Sequence, residues 1–150
     1  MTPFTLCAAT SSGNPHNNHY PNHHHITDQT SLEQVAWLDH VAATYTGDRR
    51  SSASFISSDC VVMDIDNDHT DNPDEWITPD DLAELMAGVE FMTATSRNHQ
   101  KPKRTLSARP RFHVYFPISP VTDADTYAGL KRRLAGPVSY THLRAHETDS

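Results

Sequence analysis

VVMDIDND at residues 61–68 and RPRFHVYFPI at residues 109–118 decide how this chain reads. The first is an apolar run that ends in two carboxylates, Asp64 and Asp66. In an extended strand, side chains alternate between faces, so Asp64 and Asp66 share one face while Met63 and Ile65 take the other. At about 3.3 Å per residue the two acids lie roughly 7 Å apart at Cα, close enough to share or bracket divalent ions. Hard cations such as Mg²⁺ or Mn²⁺, which activate phosphate groups, are the common occupants of such a pair. The second stretch alternates Phe112, Val114 and Phe116 with Arg111, His113 and Tyr115, and so places a histidine in the middle of a strand.

Charge is segregated along the chain. Net charge is −7, which argues against a generally basic nucleic-acid binder. Six of the twelve basic residues nevertheless fall within residues 97–111 (Arg97, Lys101, Lys103, Arg104, Arg109 and Arg111) with no acid among them. Residues 59–90 hold eleven of the nineteen acids. Acids for metal ions beside bases for phosphates is the division that metal-bridged phosphate chemistry uses; solvated loops are the plainer explanation of the same pattern.

At 150 residues the chain has the length of one domain. No apolar run approaches the roughly 20 residues of a membrane span, the N-terminus lacks a secretory pattern, and Cys7 and Cys60 make neither a disulfide framework nor a metal spacing. A cytoplasmic protein without membrane association is expected.

The pattern predicts a first strand over 3–9, then a loop over 10–25. Its histidines His23, His24 and His25, adjacent in a polar segment, do not readily face one ion. Ser31 and Gln34 form a capping box for a helix over 32–45 that ends at Gly47. A strand begins at Val61 after a polar lead from Phe55, and 66–76 is an acidic loop. Thr78 caps a helix over 79–87 with Pro79 at its first position, and Gly88 ends it. A strand over 89–96, the basic loop, the strand at Phe112 and a helix over 123–134 capped by Thr122 complete a mixed layout with a partly antiparallel sheet.

Several chemistries compete for Asp64–Asp68. An EF-hand loop would put Asp64, Asp66, Asp68 and Glu75 at ligand positions. His69 stands where the tight turn needs glycine, and Pro73 interrupts the loop, so that reading fails. A phosphohydrolase site of the haloacid-dehalogenase kind would make Asp64 a nucleophile and Asp66 an acid. Asp68 stands where such sites carry Thr or Val. A strand end with surface acids is the bland alternative.

Taken together, the blocks resemble the catalytic domain of archaeo-eukaryotic primases, in particular the primase-polymerases of phages, plasmids and conjugative elements. The Asp-x-Asp run VVMDID at 61–66 matches the family's first motif, and the strand histidine in RFHVYFPI at 111–118 matches the second. The stretch from Ile56 (IxSDCxxMDIDNDHxD), EWITPDDL at 75–82 and SRNHxKPK at 96–103 also look like one branch of that family, and the likeness spans most of 20–134. It implies an α+β domain with an RNA-recognition-motif-like mixed or antiparallel sheet backed by helices. It implies a DNA primase and polymerase, a nucleotidyltransferase that joins nucleotides on a DNA template with two-metal Mg²⁺ or Mn²⁺ chemistry in replication of a mobile element. Asp64 and Asp66 are then metal ligands and catalytic, His113 is catalytic and touches the triphosphate of an NTP or dNTP, and Arg111 and Arg97 are further nucleotide contacts. A helicase domain or subunit is a partner such proteins admit. A non-catalytic nucleotide- or nucleic-acid-binding relic is the alternative.

Two departures carry consequences. Arg111 stands where the family's second motif has a small residue. A third motif, an acid after a hydrophobe, is expected beyond the last helix and does not follow. Residues 138–150 (VSYTHLRAHETDS) read as a non-native, adapter-derived tail, with residues 1–137 the N-terminal portion of the catalytic domain. On that reading the chain as given is expected to be inactive, with the apolar faces around 89–91 and 112–116 incompletely covered.

Overall fold

A computed structural model of the chain describes residues 1–141 and 144–145, with side chains through Val138. The described strands are β1 (Phe4–Ala8), β2 (Asn22–Ile26), β3 (His40–Val41), β4 (Ala43–Tyr45), β5 (Phe55–Ile65), β6 (Met92–Thr95), β7 (Phe112–Val121) and β8 (Arg144–Ala145). The α-helices are α1 (Gln29–Ala36), α2 (Pro79–Leu85) and α3 (Ala124–Ala135). One sheet has the order β2-β1-β3; the other has β4-β5-β7-β6, with β8 also pairing with β5. Every pairing is antiparallel, so the expected α+β class is seen and the sheets are more uniform than the partly antiparallel arrangement predicted.

The strand β5 is apolar on both faces, and that places the layers. Val61, Met63 and Ile65 pack with Phe112, Val114 and Phe116 of β7, with Leu82 and Met86 at α2 and with Tyr127 of α3. Cys60 and Val62, on the other face, pack with Phe4, Leu6 and Ala8 of β1, Leu32 and Val35 of α1, and Tyr115 of β7. Each such large side chain, fully buried, contributes on the order of 1.5–3 kcal/mol. Phe112, Val114 and Phe116 are buried, against the expectation of an incompletely covered face, while Val89 stays exposed. Val138, the first residue of the expected tail, belongs to the same buried cluster. Ala145 and Arg144 stand opposite Met63 and Asp64 in the β8–β5 pairing. The remainder of the tail lies largely outside the described residues. Among the described residues no helix is long and apolar enough to cross a membrane.

Local corrections have local causes. The first helix starts one turn earlier than predicted because Asp28, not Ser31, is the cap. The Asp28 carboxylate accepts from the Ser31 amide at 2.8 Å, and the Ser31 hydroxyl accepts in return from the Asp28 amide at 3.1 Å. The helix ends at Ala36 instead of 45, since the apolar positions beyond it are shared between two sheets. Val41 pairs with Cys7 of β1, and Ala43 with Ser58 of β5. Gly47, expected as a helix cap, serves a 3₁₀ turn after β4 at φ 70°. Residues 22–25 of the predicted loop form β2, which adds to the edge of β1. Side chains alternate along that strand, so His23, His24 and His25 do not converge. The polar lead of β5 is strand from Phe55 because Ser57 and Ser58 pair with β4. The strand predicted over 89–96 is confined to β6, and α3 is capped by Asp123, not Thr122, through the Thr126 amide at 2.8 Å. The cap of α2 is as predicted, Thr78 with Asp81 returning the bond.

Candidate functional site

The face of β5 that buries Cys60 and Val62 becomes polar at its C-terminal end. Asp64 is the next residue on that face, with a side chain 43% exposed, and Asp66 follows just beyond the strand. On β7 the same change runs in the opposite direction, from buried Tyr115 to His113 and Arg111. Antiparallel register sets Asp64 directly opposite His113, and the His113 Nε2 lies 2.7 Å from Asp64 Oδ1. Asp64, Asp66, Arg111, His113 and Arg97 all line one cleft of about 760 Å³. The five residues singled out in the sequence are therefore brought together. Arg97 stands at the mouth, 61% exposed and 3.9 Å from Asp39.

Arg111 is only 2% exposed. Its Nη1 donates to the Asp66 carbonyl at 2.8 Å and pairs with Asp68 Oδ1 at 2.5 Å, while Nε and Nη2 are buried with no hydrogen-bond partner among the described residues. Lys103 Nζ approaches the other Asp68 oxygen at 3.7 Å. Asp68, which the sequence leaves as an ordinary loop acid, is thus the counter-charge for two basic residues of the cleft.

The acidic loop has a fixed shape. Asn67, 1% exposed, takes φ 55°, a left-handed conformation asparagine tolerates. Its amide donates to the Ile77 and Pro110 carbonyls and accepts from the Ile77 amide. Arg109, fully buried, donates to the Asn67 and Thr70 carbonyls, the Asp71 carboxylate and both oxygens of Ser107, and lies over the Trp76 ring. These contacts bind the loop that follows Asp66 to the segment that leads into β7.

Sequence reasoning missed the upstream wall of the cleft. His40 of β3 faces the Leu38 carbonyl through Nδ1 at 2.7 Å, which requires that nitrogen to carry the proton. In the neutral ring Nε2 then accepts from the Tyr115 hydroxyl at 2.8 Å. The His40 ring stands edge-on to His113 at 5.7 Å. Burial first, then the charges of Cys60 and Asp64, push the Tyr115 phenol well above its ordinary value, so it stays a donor. Asp39 gathers the Ser11 hydroxyl and the Gly13 and Asn14 amides. Neither His40 nor Asp39 carries a local signal, because both fall in a segment with helical periodicity.

The carboxylates of Asp64 and Asp66 are hard oxygen donors on the same side of the sheet, a donor chemistry that fits Mg²⁺ or Mn²⁺. Among the described residues no group of three or more His, Cys, Asp or Glu is gathered as a metal centre. Two protein carboxylates suit a cation that takes its other oxygens from water and substrate phosphates. No family model, curated protein or solved structure matches the chain.

Proposed function

We propose that this cleft is the nucleotidyl-transfer site of a primase-polymerase of the archaeo-eukaryotic primase type, from a mobile element, acting on a DNA template with NTPs or dNTPs. What supports the reading above all is the register of β5 and β7. Two motifs 49 residues apart in the chain, Asp64 and His113, are cross-strand neighbours within hydrogen-bond distance. The reaction forms a bond from a 3′-hydroxyl oxygen to the α-phosphorus of the nucleotide, breaks the bond from that phosphorus to the bridging oxygen, and releases pyrophosphate and the hydroxyl proton.

Asp64 and Asp66 would hold Mg²⁺ or Mn²⁺, which supplies positive charge to the phosphates and lowers the pKa of the attacking hydroxyl. His113 orients the Asp64 carboxylate and, once a phosphate competes for it, donates Nε2–H to a phosphate oxygen. Arg111 has two buried N–H-bearing nitrogens without acceptors among the described residues. A phosphate presents two oxygens to such a fork, so the triphosphate completes what the protein leaves open. A small residue at that position would leave no such donor. Arg97 at the mouth adds charge that draws polyanions in.

The experiment is nucleotide binding by calorimetry with Mn²⁺ or Mg²⁺. A dNTP or NTP should bind only with the metal, and Asp64→Asn should weaken binding by about 10- to 150-fold, the loss of one charge-assisted contact. Where template-dependent incorporation is measurable, Asp64→Asn should lower it by at least about 100-fold. Metal-independent binding, or none, overturns the reading. Metal-dependent binding that Asp64→Asn leaves at the wild-type affinity overturns the assignment of the acids.

A further inference from the structure

The cleft mouth holds an exposed aromatic ring that neither the core nor the proposed chemistry uses. Trp37, the C-cap of α1, is 64% exposed, the most exposed large apolar residue described. Single exposed apolar residues are ordinary on protein surfaces. This one is held in place. Its indole N–H donates to the Gln34 carbonyl one turn back at 2.9 Å, and its own carbonyl accepts from the Ser12 hydroxyl at 2.6 Å. The neighbouring loop is gathered on Asp39 by the Ser11, Gly13 and Asn14 contacts, and Arg97, from the segment that follows β6, packs against it. A Cβ on Gly13, whose φ is 77°, would come within 2.7 Å of the Arg97 Cζ, so the guanidinium rests against bare backbone. Trp37 and Arg97 therefore flank one fixed loop at one entrance.

Beyond that entrance the lining is basic although the chain is acidic. Five basic side chains, among them Arg50, Lys101 and Lys103, line the cleft with three carboxylates, Asp39, Asp64 and Asp66, and Asp68 behind the lining pairs with Lys103 and Arg111, in a protein of net charge −7. A π-face beside a row of cations is the combination that grips single-stranded nucleic acid: a base stacks on the ring and the phosphates follow the charges. A duplex keeps its bases stacked on one another and has no free face to offer.

We infer that Trp37 is a base-stacking platform and that, with Arg97 and the lysines, it guides a single strand into the cleft. The inference deepens the proposed function by naming how a template is held, and so rests on it, but its test needs neither metal nor nucleotide. A labelled oligothymidylate is titrated with the chain by fluorescence anisotropy at low ionic strength, with an oligouridylate and a duplex of equal length as the other arms. The single strands should bind, the duplex should bind more weakly, and affinity should fall as salt rises. Trp37→Ala should weaken binding by about 5- to 150-fold, the worth of one stacked base, with thermal unfolding unchanged for so exposed a side chain. Trp37→Phe should keep affinity within about threefold while abolishing the quenching of indole fluorescence on binding. Trp76 stays fluorescent in that variant, its N–H bonded to the Thr70 carbonyl and its ring under Arg109.

Arg97→Ala should weaken binding and flatten the salt dependence. Equal binding by Trp37→Ala and wild type, preference for the duplex, or no oligonucleotide binding at low salt overturns the inference. Failure of nucleotide binding in the calorimetric experiment, with Trp37-dependent strand binding intact, would instead remove the catalytic reading and leave a single-strand binding surface.

Discussion

Arg109 and Arg111 sit two residues apart on the segment that enters β7, both withdrawn from solvent, and their surroundings differ in kind. Around Arg109 the chain supplies acceptors for every nitrogen: two carbonyls of the acidic loop, the Ser107 oxygens and Asp71. Around Arg111 the described residues supply acceptors for Nη1 alone. Arg97, at the mouth of the same cleft, is mostly in water. Burial of a cation is costly unless its donors are satisfied. The satisfied guanidinium is thus a fastening of the fold, and the half-satisfied one is where the proposed function puts a phosphate. Position in the sequence does not distinguish them; the partners do.

The largest effect that would sharpen this contrast is on stability. Arg109→Met should lower the free energy of unfolding by about 2–5 kcal/mol, as the Asn67 and Thr70 carbonyls lose their donors at roughly 1–3 kcal/mol each. Asp71 is 82% exposed and is rehydrated, so its loss adds little. Urea unfolding measures the change, and a loss below about 1 kcal/mol would break the comparison.

Arg111→Met should do the opposite. Stability should stay within about 1 kcal/mol or rise, since an incompletely satisfied buried charge gives way to an apolar side chain. Affinity for a nucleoside triphosphate should fall about 10- to 100-fold, the worth of charge-assisted hydrogen bonds. Destabilisation equal to that of Arg109→Met, with nucleotide affinity unchanged, would make Arg111 a second fastening.

The smallest effect concerns Arg97 and its neighbour Asp39. Arg97→Ala should change stability by no more than about 1 kcal/mol, as for other exposed ion pairs. Burial raises the Asp39 pKa, but the Asn14 and Gly13 amides, the Ser11 hydroxyl and the Arg97 charge outweigh it and hold the carboxyl below its ordinary 3.8. A depressed folded value means the folded state binds fewer protons than the unfolded one. The stabilisation is therefore present above pH 3.8 and is lost as pH falls through the lower folded value. Asp39→Asn should flatten the stability profile in that acid window, because it removes stabilisation that is present at neutral pH and already absent at the acid end. An unchanged acid limb would mean that the rim loop is not held by this carboxylate.

Much of the site was legible because short-range chemistry carries it. Alternation in β5 and β7 assigns Asp64, Asp66, Arg111 and His113 to one face each, and Thr78 with Pro79 marks α2. The first helix was less legible: Asp28 and Ser31 both suit a cap, and the apolar spacing through Tyr45 is as regular as a longer helix would need. What overrode it was pairing with β1 and β5, elements far away in sequence. His40 and Asp39 reached the cleft with the short strand that pairs with β1 and left no pattern of their own.

By itself the sequence determined periodicity and chemistry: which side chains alternate, where turns start, where acids and bases are concentrated. These are properties of neighbours a few residues apart, set by backbone geometry and side-chain type. Tertiary structure alone decided that Asp64 meets His113, that Arg109 finds every acceptor while Arg111 does not, and that Trp37 stands at the mouth of the cleft. Antiparallel register joins residues by their distance from a shared pairing, not by their spacing along the chain. The satisfaction of a buried donor likewise depends on acceptors brought from other segments, and the folded chain alone determines which ones arrive.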